Sequence, residues 1–161
     1  MRKLGPVETA TAVAVSLSVV CVIVPVFARN LRASRFVEPM DGLQHIAAQA
    51  AALGLSRAAD GPYPGTVERT PSEVPHGRAV VDPPGTWDHE TWRSLGFEQR
   101  EAHYFSFAFQ SRAQGGRVQY TALANGDLDG DGELSTFSIA GEATAGGDAV
   151  TEPLAMHREV E

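Results

Sequence analysis

The residues with the clearest chemical potential lie in one short stretch, Asn125-Gly126-Asp127-Leu128-Asp129-Gly130-Asp131-Gly132-Glu133. Carboxylates at alternate positions can converge on a hard cation, and the glycines between them permit the tight turn that convergence needs. Asp127, Asp129, Asp131 and Glu133 are therefore candidate ligands for Ca2+. Acids crowded together without a counter-ion repel one another, and a bound divalent cation relieves that repulsion. The pattern matches the first half of a calcium loop. A full EF-hand also needs a bidentate Glu at the twelfth position, where this chain has Ser138, and flanking helices, which the surrounding residues do not predict. A solvated hairpin turn rich in Asp and Gly is the competing reading.

No catalytic constellation is visible. His45, His76, His89, His103 and His157 are scattered and form no His-x-x-x-His pair. His89-Glu90 is followed by Arg93 where a zinc site of the HExxH type needs a second His. There is no G-x-S-x-G elbow, phosphate-binding loop or dinucleotide fingerprint. The one cysteine, Cys21, sits inside an apolar run, so it offers neither an intramolecular disulfide nor an accessible nucleophile. The expectation is a protein that is not an enzyme.

Composition limits the remaining classes. The 161 residues are 43% hydrophobic and 20% charged, with a formal net charge of −7, so a core can form and the chain is not disordered by composition. An acidic balance disfavours nucleic acid as a partner, since phosphate binding needs clustered Lys and Arg. The charge is divided unevenly. Residues 1–56 carry five basic and three acidic side chains; residues 57–161 carry eight Arg, no Lys and 17 acids. Two physically different pieces are joined.

In the first piece, residues 9–28 contain no charged side chain. Twenty helical residues rise about 30 Å, the thickness of a bilayer's hydrocarbon core, so a transmembrane helix is expected over 4–28 with the lipid bilayer as its partner. The competing reading is a secretory signal cleaved after Ala28, at Val26-Phe27-Ala28. Over 29–59, Leu43, Ile46, Ala47, Ala50 and Leu53 recur at three- and four-residue spacing, an amphipathic helical stripe. Pro39 should kink this helix or start a second one. The expectation is one rod of roughly fifty residues, half in lipid and half packed on a soluble domain.

The second piece, 60–161, reads as a loop-rich antiparallel β domain. Six prolines fall in residues 60–86 and preclude helix there. Asp88 can cap a short helix running to Leu95, with Gly96 as its stop. Phe105, Phe107 and Phe109 alternate with small or polar residues; Val118, Tyr120 and Ala122 do the same, and so do Phe137 and Ile139. Short links, among them Ala113-Gln114-Gly115-Gly116, make these strands a meander with one apolar face, which the helical stripe would cover. Residues 146–161 show no assignable period. The fold class expected is α+β.

This layout resembles a type IV pilin or pseudopilin. The carriers are Met1-Arg2-Lys3, then Leu4-Gly5-Pro6-Val7-Glu8, the apolar run and Pro25, with WRSLGF, YFSFAF and YTALANGDLDGDGELSTFSIAG similar to the C-terminal half of pilin-like proteins of myxobacteria. The resemblance implies a short leader, residues 1–3, cut between Lys3 and Leu4, although Lys3 stands where the family has Gly. It implies that Glu8 pairs with a neighbouring subunit's N-terminal amine and sets register, and that Pro25 loosens the helix on assembly. It implies a pilin-like fold and a structural subunit of a type IV pilus or a type II secretion pseudopilus. Its partners would be homologous subunits and the assembly machinery. Its place would be the inner membrane, single-pass with the C-terminal domain in the periplasm, or an extracellular pilus once assembled. The alternative is an exported soluble Ca2+-binding β module released after Ala28.

Overall fold

A proline marks where the first helix among the described residues begins. In the computed structural model, which describes residues 36–56, 61–114, 117–144, 149–153 and 155–157, helix α1 spans Val37–Ser56. Pro39 lies in its first turn, where a missing N–H costs nothing because those amides have no intrahelical acceptor. Glu38 in the same turn suits the positive end of the helix dipole. Pro39, Gly42, Leu43, Ile46, Ala47, Ala50 and Gly54 form the buried stripe, and α1 lies chiefly on β4, touching β3 and β5.

Two expectations are corrected here. The α+β fold built on one N-terminal rod, transmembrane in its first half, is not what the described residues form. They form a six-stranded antiparallel sheet with a 20-residue helix that starts two residues before Pro39. The single-pass inner-membrane placement is corrected as well: among the described residues no helix is long and apolar enough to cross a membrane. The apolar stretch 9–28, with Glu8, Pro25, Lys3 and Leu4, lies outside the described residues. The chain divides into two compact units, Met1–Phe36 and Val37–Glu161, and every element named here belongs to the second.

The strands are β1 (Val67–Thr70), β2 (Phe105–Gln114), β3 (Arg117–Gly126), β4 (Ser135–Thr144), β5 (Ala149–Thr151) and β6 (Ala155–His157). They run in the order β1-β2-β3-β4-β5, with β6 also paired to β4. β1, β5 and β6 have no sequence signal of their own. They are short and sit at the sheet's edges, where pairing rather than burial defines them.

Register on the helix-facing side alternates large and small across the strands. Phe107 pairs with Ala124, which pairs with Phe137; Phe109 pairs with Ala122, which pairs with Ile139. Phe105 faces Gly126, and Tyr120 faces Gly141. A β-carbon on Gly126 or Gly141 would lie 2.5 Å from those rings, so the glycines are the floor on which the aromatics rest. Interleaving of this kind fills a core to crystalline density without strain. A second helix, α2 (Glu90–Leu95), closes one end of the core. Its cap is His89, whose side chain accepts from Thr91 N, rather than Asp88; Gly96 ends it in the left-handed conformation, as expected. Trp87, Trp92, Phe97 and Phe107 meet there with ring centroids 4.9–6.4 Å apart.

Candidate metal centre

The acidic loop is the β3–β4 connection. Gly126 pairs with Ser135, and the residues between them must reverse the chain. Gly130 and Gly132 adopt φ of +80° and +89°, a region that disfavours any residue with a β-carbon. This is why Asp and Gly alternate: the glycines turn the backbone and the aspartates pin it.

Asp127 is fully buried, while Asp129 and Asp131 are exposed. Its Oδ1 accepts from Gly130 N at 2.7 Å, and its Oδ2 accepts from Gly132 N at 3.0 Å. His76 Nδ1 lies 2.7 Å from the same Oδ2. Burial alone would push the Asp127 carboxyl up, but hydrogen bonds from His76, Gly130 and Gly132 outweigh it and hold the carboxyl below its ordinary value. Farther round the loop, Asp129 Oδ1 accepts from Asp131 N at 3.3 Å, and Asp131 Oδ1 accepts from Glu133 N at 2.7 Å.

One carboxylate oxygen from each of Asp127, Asp129 and Asp131 lies within 4.8 Å of the others. Two oxygens bound to the same Ca2+ at about 2.4 Å can be separated by at most about 4.8 Å, so the spacing matches a shared cation. The three aspartates can hold a metal ion. Glu133, the fourth carboxylate anticipated from sequence, is exposed and contributes its backbone amide to the loop.

His76 is the part of this site that sequence reasoning missed. It arrives from a loop 51 residues away, where Gly77 N also donates to Asp127 O at 2.7 Å. Gly77, at φ +62°, lies against Gly130, which lets the two loops touch backbone to backbone. No periodicity or motif announces such a contact. Three other histidines make structural contacts: His45 Nε2 lies 3.1 Å from Gly96 O, His89 caps α2, and His103 is buried beside Asp82. No family model, characterised protein or solved structure matches this chain.

Proposed function

We propose that this chain is a pilin-like structural subunit of a type IV pilus or a related secretion pseudopilus, acting by association with homologous subunits and their assembly machinery rather than by catalysis. One observation carries the reading. The unit Val37–Glu161 carries a helix laid by its apolar stripe on an antiparallel meander, an arrangement compatible with the head of such a subunit. The leader-like start, the Glu8–Pro25 spacing and the loop sequence resembling myxobacterial pilin-like proteins support it. Ca2+ at Asp127, Asp129 and Asp131 would tie the β3–β4 hairpin and stabilise the head without taking part in any reaction. Electron microscopy of surface filaments labelled with antibody to the head tests the proposal. Decorated filaments whose subunit begins at Leu4 are expected; absence of the chain from filaments overturns it.

A second reading rests on Val37–Glu161 being compact by itself. An exported Ca2+-binding module would be recovered as free chain beginning at Arg29, and N-terminal sequencing of the native protein separates the two.

A further inference from the structure

The β3–β4 hairpin carries three peptide bonds that can rearrange without any enzyme: Asn125–Gly126, Asp129–Gly130 and Asp131–Gly132. In each, the glycine nitrogen can attack the preceding side-chain carbonyl carbon, because glycine has no β-carbon to block the approach. A five-membered imide closes, and the N–H proton departs with the leaving group, as ammonia from Asn or as water from a protonated Asp. Water then opens the ring. Opening at the main-chain carbonyl leaves isoaspartate, with the backbone routed through the side-chain carbon; opening at the other carbonyl leaves aspartate. The liability is inherent in the turn, since Gly130 and Gly132 sit at φ +80° and +89°, where a residue with a β-carbon is strained.

In both Asp–Gly bonds the reacting groups are tied up. Gly130 N donates to Asp127 Oδ1 at 2.7 Å, and Gly132 N donates to Asp127 Oδ2 at 3.0 Å. These are the two nitrogens that would attack, and one fully buried carboxylate holds both. The attacking form is the deprotonated amide, and making it beside an ionised carboxylate sets two negative charges together where water does not screen them. The side-chain carbonyls are drawn aside as well. Asp129 Oδ1 accepts from Asp131 N and Asp131 Oδ1 from Glu133 N, in each case the amide two residues on rather than the next one. Asn125–Gly126 is held differently. Both residues lie in β3, Gly126 paired with Phe105 and Ser135, and Asn125 Nδ2 donates to Thr136 Oγ1 on β4 at 2.8 Å. An extended strand carries that side chain toward its neighbour rather than over the next nitrogen.

We infer that this hairpin is a latent site of isoaspartate formation, kept shut at Asn125 by the β3–β4 ladder and at Asp129 and Asp131 by the Asp127 carboxylate. The two guards are separable. Release of the loop from Asp127 frees both Asp–Gly bonds while the strands stay paired, and Asn125 reacts only when the strands part. An isoaspartate adds one carbon to the main chain and takes one from the side chain. It therefore removes the register on which the 4.8 Å spacing of the Asp127, Asp129 and Asp131 oxygens depends, and a chain modified there loses the loop's capacity to hold a cation.

Two measurements on the full chain test this. In the first, native chain and chain in urea are held in warm neutral buffer, and isoaspartate is located by peptide mapping with electron-transfer fragmentation. All three positions should convert in urea, and Asp129 and Asp131 at least about tenfold more slowly in the native chain. Asp127→Asn offers one neutral carbonyl in place of two charged oxygens, so conversion at Asp129 and Asp131 should rise about tenfold, the worth of a charge-assisted hydrogen bond, while Asn125 stays intact. Native Asp129 and Asp131 converting as fast as in urea, or no faster in Asp127→Asn than in wild type, overturns the inference. The second measurement is amide hydrogen exchange, which needs no variant and decides the matter even if Asp127→Asn does not fold. Gly130 and Gly132 should exchange well below the rate of free amides; exchange at the free rate overturns the role given to Asp127.

Discussion

His76 and Asp127 are joined across 2.7 Å although 51 residues separate them, and the two partners are unlike: the Asp127 side chain is wholly buried, the His76 side chain 66% exposed. Asp127 therefore anchors the acidic loop from within, and His76 lies over it from the solvent side. Removing the buried member should cost far more than removing the exposed one. Asp127→Ala leaves Gly130 N, Gly132 N and the His76 ring without their acceptor and should destabilise by about 2–4 kcal/mol. His76→Ala should cost about 1 kcal/mol or less, because solvent screens the exposed partner. Denaturant midpoints of the two variants check the ranking.

The same carboxylate sets an acid limb. Its folded value lies below the ordinary 3.8, so it contributes stability that is present above the unfolded value and is lost as pH falls through the folded one. Wild type should lose stability progressively below about pH 4, and Asp127→Asn should make that limb shallower. Urea midpoints between pH 2 and 5 provide the test; parallel curves for the two proteins would contradict the assignment.

Glu38 has the opposite sign. Burial raises its carboxyl above the ordinary 4.5, against the lowering effects of the Tyr104 and Phe105 amides and of His103. The native state then keeps a proton that the unfolded chain has released, and stability declines as pH rises from the ordinary value through the raised one. Glu38→Gln keeps an acceptor for both amides and removes the half-buried charge. Relative to wild type, the variant should gain between pH 4 and 7 and then level off, as read from thermal midpoints at fixed ionic strength.

How much of this could be read from residues alone depends on how local the cause is. The alternation of Phe105, Phe107 and Phe109 and the Leu43–Ile46–Ala47–Ala50 stripe report one-sided burial within a single element, and they mark β2 and α1 correctly. The Asp127–Asp129–Asp131 cluster was equally legible, since its spacing is set by one turn. His76 and the Asp82–His103 pair were not, because each contact depends on where separate loops land on the sheet. The extent of the helix is not legible for a related reason. Pro39 alone is compatible with a kink or with a helix start, and the described helix has it in the first turn, beside Glu38, whose carboxylate accepts from Tyr104 N and Phe105 N.

Gly42 gives a packing test that propensity alone gets backwards. Glycine inside a helix usually costs about 1 kcal/mol relative to alanine, so Gly42→Ala would be stabilising on an isolated helix. Here the added β-carbon would lie 2.7 Å from two ring atoms of Phe107, a fully buried side chain. Overpacking of that kind costs about 1–3 kcal/mol, which outweighs the helical gain. Gly42→Ala should lower the thermal midpoint. A rise would mean that α1 is not seated on Phe107.

Tyr63 makes the opposite case, a polar atom whose removal should help. Its ring is buried edge-on to Tyr120 with centroids 4.8 Å apart, and among the described residues its hydroxyl has no hydrogen-bond partner. Burial, with Tyr120 and Glu142 nearby, pushes the phenol up to about 12, so it stays neutral at physiological pH and bears an unmet hydrogen-bonding cost. Tyr63→Phe deletes the hydroxyl and preserves the ring, the packing and the edge-to-face contact. The variant should be more stable by about 0.5–1 kcal/mol, since an unsatisfied buried group costs more than its apolar isostere. Equilibrium unfolding in urea measures the difference, and a clear loss of stability would show that the hydroxyl is bonded in solution.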